Sequence, residues 1–180
     1  VSGSVLLQGK SQWTARERAK FITLVRMGGV VCDRMNVREF VGLGRMPYAG
    51  LFDGRNQEDE NFVSEALALL EIEKFKDRWL TELSDGERSR VYLAQAVAQQ
   101  VNVLLLDEPN AFMDIPRSRK LFTLLQKLAK ERDMGILVST HSVEYAEKYC
   151  DRIMVIEKGF ARCERASDAR ARGLLDWTEG

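Results

Sequence analysis

Val103-Leu104-Leu105-Leu106-Asp107-Glu108-Pro109 joins an unbroken apolar run to two adjacent carboxylates and a proline. Branched residues in a row, bounded by loop formers, read as a strand buried on both faces, the pattern of a parallel sheet. In open parallel sheets ligands gather at the C-terminal ends of strands, and there the acid pair stands. An aspartate so placed can hold Mg²⁺, directly or through water, and the next carboxylate can orient and deprotonate a water attacking a terminal phosphate. General-base help of this kind contributes about 10²- to 10⁴-fold in rate. The same three residues also suit a strand that simply ends in solvent, since acids and proline commonly start loops.

Similar short apolar runs recur at 5–7, 21–25, 136–139 and 153–156, giving further strand candidates. Between the later runs lie helical patterns: Leu121, Leu124, Leu125 and Leu128 follow the i, i+3, i+4, i+7 rule, and Val143, Ala146 and Tyr149 repeat it. Strand, helix, strand alternation implies a parallel sheet. From about Asn36 to Gln100 the signal turns helical. Asn36 can cap a helix over 37–43, Phe62, Ala66, Leu69 and Leu70 mark a second, and the polar stretch 50–61 reads as their connecting loop. The arginine-rich end, 162–172, reads as a solvated surface helix.

Two further stretches carry chemistry. Leu83-Ser84-Asp85-Gly86-Glu87 leads into an amphipathic helix, so free amides, the positive dipole end and Ser84 could grip a phosphate. Ser84-x-x-Glu87 is equally a capping box that needs no ligand. His141, the only histidine, follows the strand candidate 136–139 in Ser139-Thr140-His141-Ser142 and could hydrogen-bond a γ-phosphate, or be a plain loop residue. Gly9-Lys10-Ser11 mimics the end of the phosphate-loop pattern G-x-x-x-x-G-K-[ST], but Ser4 stands where the first glycine belongs and 5–7 is apolar where the loop should run.

The 180 residues, 45% hydrophobic, suffice for a single core burying about 70% of the unfolded surface. With 27 basic and 27 acidic residues there is no net field to draw in a nucleic-acid backbone or an anionic membrane, so nucleic acid is not expected as a partner. Cys32, Cys150 and Cys163 form no C-x-x-C pair, which fits a reducing cytoplasm better than a zinc or dithiol site. No apolar run is long enough to span a bilayer.

In this order, LSDGE at 83–87, VLLLDEP at 103–109 and STH at 139–141 resemble the nucleotide-binding domain of ABC transporters, with its LSGGQ signature, its Walker B strand and catalytic glutamate, and its switch histidine. Ser2-Gly3-Ser4-Val5 and Ala15-Arg16-Glu17-Arg18-Ala19 look like the segments after the family's first helix, so the likeness covers nearly the whole chain. The resemblance implies an α/β, P-loop NTPase-like parallel-sheet core at 1–35 and 101–180, with an inserted α-helical signature subdomain at 36–100. The Walker A loop that should come first is missing and Val1 opens close to a strand candidate, which reads as an N-terminally truncated fragment without ATPase activity of its own.

The resemblance further implies ATP and Mg²⁺ as cofactors. Asp107 would hold Mg²⁺, Glu108 would polarise the attacking water, His141 would contact the γ-phosphate and Asp114 would be the D-loop aspartate. Leu83, Ser84, Asp85, Gly86 and Glu87 would close on ATP held by a second, head-to-tail copy. Transmembrane permease subunits would be the other partners, placing the protein in the cytoplasm, peripheral on the inner face of the cell membrane. The stretch Gly42-Leu43-Gly44-Arg45-Met46-Pro47-Tyr48 resembles the importer branch that serves iron-siderophore, haem and cobalamin uptake. Two departures stand out: the window 25–29 lacks the glutamine that couples to the membrane partner, and Asp85 and Glu87 replace glycine and glutamine in the signature. Those departures also suit a catalytically silent regulatory module.

Overall fold

Each early α-helix starts on a side-chain cap. The structure, a computed structural model, describes residues 6, 9–27, 34–49, 56–111 and 113–175. By its contacts the chain divides into two units, residues 1–106 and 107–180. In the first unit Thr14 caps α1 (Ala15–Phe21), and Glu17 reaches back to close a capping box. Because that helix starts at Ala15, Lys10 does not stand at a helix start as a phosphate-loop lysine would; Gly9 instead makes a turn at φ 74°. β1 (Ile22–Arg26) follows directly. Asn36 caps α2 (Val37–Gly42) and Asn56 caps α3 (Gln57–Leu69). The connecting loop is therefore shorter than its polar composition suggests: 57–61 are helical, because Asn56 supplies the cap and Glu58, Asp59 and Glu60 suit the positive end of the dipole. The remainder of that loop, 50–55, lies outside the described residues, as do Val5, Leu7 and the two glycines of the 25–29 window.

Helices α2, α3 and α4 (Asp85–Ala98) pack on one another. They share a core that includes Val41, Val63, Ala66, Val91 and Ala94, all at 0% exposure. Two devices lock it. Arg45 is buried with Asp59, Nε to Oδ1 at 2.8 Å, while Nη1 donates to the Ala98 carbonyl at 2.8 Å. The Tyr48 and Phe62 rings lie 3.9 and 4.4 Å from the guanidinium carbon. At Gly44 the backbones come so close that an added Cβ would sit 2.3 Å from the Gln95 carbonyl oxygen. The chain then returns to β2 (Val103–Asp107), which neighbours β1 in the sheet, with Leu104 and Leu106 fully buried. The sheet is parallel and the fold mixed α/β.

The second unit holds α5 (Ile115–Glu131), β3 (Gly135–Ser139), α6 (Val143–Tyr149), β4 (Arg152–Glu157), β5 (Phe160–Arg165) and α7 (Ala166–Ala169). The leucine periodicity of α5 buries Leu121, Leu125 and Leu128. Phe122 of α5 stacks on Tyr145 of α6 at 4.9 Å between centroids, and Tyr149 joins the stack. Burial on both faces holds least well here: β3 alternates, with Leu137 half exposed, and Ile156 of β4 is 74% exposed. The reason for β4 is its partner. It pairs antiparallel with β5, and only the Ile153 and Val155 side packs on Ala166, Ala169, Leu174 and Leu175. Lys158 and Gly159, both at positive φ, form a two-residue turn of the type that matches strand twist. The arginine-rich end is thus not one surface helix: through Arg165 it is strand, and only a single helical turn follows.

Candidate functional site

β2 delivers Asp107 to its C-terminal end, and Glu108 begins the reversal into the next loop. Glu108 has φ 46°, a left-handed conformation that residues with a Cβ adopt seldom and that clusters at functional sites. Its N–H holds that bend by donating to the Ser139 carbonyl at 3.1 Å and to Ser139 Oγ at 3.1 Å. Ser139 Oγ in turn donates to Asp107 Oδ1 at 2.7 Å, so one hydroxyl touches both members of the acid pair.

Two residues beyond Ser139, His141 Nδ1 lies 2.8 Å from Glu108 Oε2, with both side chains open to solvent. A carboxylate only accepts, so Nδ1 carries the proton and Nε2 is left as the ring's other functional atom. Asn110, buried at 8% exposure, ties this loop to the histidine loop: it donates to Ser142 Oγ at 3.3 Å and accepts from Thr140 Oγ1 at 3.4 Å. Asp114 caps α5 by accepting the Arg117 N–H at 2.8 Å, helped by Pro116 in the first turn.

Asp107, Glu108 and His141 thus come together within the second unit. Leu83, Ser84, Asp85, Gly86 and Glu87 belong to the first, at the start of α4. There the capping box forms: Ser84 N–H and Oγ both donate to Glu87 Oε2, at 2.9 and 2.8 Å. Glu87 N–H returns to Ser84 Oγ at 3.4 Å. Those hydrogen bonds from Ser84 hold the Glu87 carboxyl below its ordinary 4.5. Asp85 pairs with Arg88, and Leu83 is buried behind the turn. A carboxylate therefore sits against the serine hydroxyl that a phosphate would need.

Chemically, the cluster at 107, 108 and 141 offers a carboxylate, an adjacent acid and an imidazole, the set required to place a hard cation, a water and a phosphate. No group of three or more metal-binding side chains exists among the described residues. The acid pair itself would suit Mg²⁺, which takes one or two carboxylates and completes its shell with water and phosphate oxygens. Sequence reasoning missed Ser139 and Asn110: a serine and an asparagine beside stronger motifs carry no periodicity or charge to single them out.

A family model described as ABC transporter matches residues 1–111. The petrobactin import ATP-binding protein FpuC of Bacillus anthracis is 36% identical over 160 residues, covering 87% of this chain and 58% of its own length. The hemin import ATP-binding protein HmuV of Streptomyces coelicolor is 35% identical over 178 residues, covering 97% of this chain and 62% of its own. The chain thus spans about three fifths of either relative. Among solved structures, cbiO1 from Clostridium perfringens, part of the transporter complex cbiONQ, superposes with a TM-score of 0.82 at 24% identity, over 99% of this chain and 72% of that one. A dimeric bacterial ABC transporter cassette, MJ0796, does so at 0.70 with 27% identity, over 84% and 65%.

Proposed function

The chain belongs to the ABC transporter family of ATP-binding cassettes, and on that premise we propose that the intact protein is the ATP-binding subunit of an importer for an iron-siderophore, haem or cobalamin type of substrate. The observation that carries the reading is the cluster of Asp107, Glu108 and His141 at the end of a sheet strand. Names of relatives that import petrobactin and hemin favour the substrate class. In this reading residues 1–35 and 101–180 are the core and 36–100 the helical signature subdomain. A second, head-to-tail copy supplies Leu83, Ser84, Asp85, Gly86 and Glu87 to the ATP held by the first, and permease subunits keep the pair at the inner face of the membrane.

Asp107 is the residue that would hold Mg²⁺, whose charge offsets the negative charge that grows on the transferring phosphate. Glu108 orients the attacking water and accepts its proton. His141, paired with Glu108 through Nδ1, would meet the γ-phosphate through Nε2. Asp114, the D-loop aspartate in this reading, caps α5.

A second reading, a silent regulatory cassette, draws on one observation: Glu87 already occupies the Ser84 hydroxyl. ATP turnover by the intact gene product with its permease decides between them. The importer reading expects turnover that Glu108→Gln lowers by about 10²- to 10⁴-fold. Absence of turnover in the unaltered protein leaves the silent cassette.

A further inference from the structure

Between the two candidate carboxylates stands a side chain that the roles above do not use. Ser139 closes β3, and its Oγ donates to Asp107 Oδ1 at 2.7 Å while accepting the Glu108 N–H at 3.1 Å. The direction of each bond is fixed by chemistry: the ionised carboxylate only accepts and the amide only donates, so the hydroxyl has one arrangement that serves both. We propose that Ser139 is a positioning residue for phosphoryl transfer, a single hydroxyl that sets the orientation of the Asp107 carboxylate and the bend of the Glu108 backbone together.

The inference rests on the proposed ATPase reading. It follows from two facts about the atoms Ser139 holds. A donor to one carboxylate oxygen restricts its rotation about the last bond, and partners that orient metal ligands typically change metal affinity or activity by about 10- to 100-fold when removed. Glu108 sits at φ 46°, a conformation that persists only where the surroundings over-determine it, and two of its restraints, the carbonyl and the hydroxyl, come from this one residue. Ser139 is solvent-exposed, so in its absence water takes the place of the hydroxyl, and water satisfies the acceptor without directing it.

The test uses the intact gene product and reads two quantities: the affinity for Mn²⁺ in the presence of ATP, by electron paramagnetic resonance of the free ion, and steady-state ATP hydrolysis. Ser139→Ala and Ser139→Val are expected to weaken Mn²⁺ binding by about 10- to 100-fold and to lower kcat, with KM for ATP unchanged. Ser139→Thr, which restores the hydroxyl on nearly the shape of valine, is expected to recover both. Should the valine variant lose its fold, the alanine variant, which only removes an atom, carries the comparison. Unaltered Mn²⁺ affinity in a folded Ser139→Ala protein overturns the inference and leaves the ATPase reading standing. A threonine variant as impaired as the valine one also overturns it, since bulk and not the hydroxyl would then matter. Failure of the unaltered protein to bind Mn²⁺ with ATP overturns the ATPase reading itself, and the inference with it.

Discussion

At Glu87 one carboxylate does two opposed things. It completes the cap of α4, with its charge favoured by the helix dipole, and it holds the Ser84 hydroxyl that, in the proposed reading, would meet a phosphate. Its folded-state value lies below 4.5 because of Ser84, so between the two values the unfolded chain binds more protons than the folded one. The stabilisation is therefore complete above about pH 4.5 and is lost as pH falls through the folded value. Glu17, held by Thr14, and Glu147, held by Arg170, act with the same sign. Glu87→Gln is expected to flatten the acid limb of the urea midpoint between about pH 6 and pH 3, and identical slopes would show that the Glu87 charge contributes nothing. Asp107, Glu108 and His141 stood out as candidates because each lies within three residues of the end of an apolar run and carries a carboxylate or an imidazole. Ser139 and Asn110 were not, because their importance lies in what they touch across the sheet end, which linear spacing does not encode.

Among the elements of the first unit, the caps at Asn36 and Ser84 are legible in the sequence, each pairing with an acid three residues on, whereas the one at Asn56 lies in a polar stretch that reads as loop. What spacing leaves hidden there is the lock at Gly44 and Arg45. Asp59 looks like one more acid in a charged first turn, yet it is 5% exposed and neutralises a guanidinium packed between two rings. Asp59→Ala strands that buried charge and is expected to cost about 3–5 kcal/mol. Gly44→Ala drives a methyl into the Gln95 carbonyl and is expected to cost about 1–3 kcal/mol through forced separation of the backbones. Thermal or urea unfolding of the 180-residue chain measures both, and a change within about 0.5 kcal/mol for either would contradict the lock. β5 escaped detection for a different reason: Arg162, Glu164 and Arg165 resemble a solvated helix face, and only the Lys158-Gly159 turn ahead of them signals a hairpin.

For the molecule as a whole, the order of signature, acid-bearing strand and histidine was enough to reach the family, because each motif is short and contiguous. The division into units was not, since the boundary at 106 and 107 falls inside one strand and leaves no mark of composition. No helix among the described residues is long and apolar enough to cross a membrane. The aromatic residues are themselves divided between the units. Trp13 and Trp79 lie in the first, whereas the stack of Phe122, Tyr145 and Tyr149 lies in the second. Once Trp177 is changed to Phe, tryptophan emission reports one unit, and the part of the near-ultraviolet circular dichroism that Tyr145→Phe and Tyr149→Phe remove reports the other. Coincident denaturation curves from the two signals would mean that the units melt as one cooperative body, and separated curves that each melts alone. The rings that hold α5 against α6 thus double as an optical label, one that needs no dye and leaves the acid pair and its serine untouched.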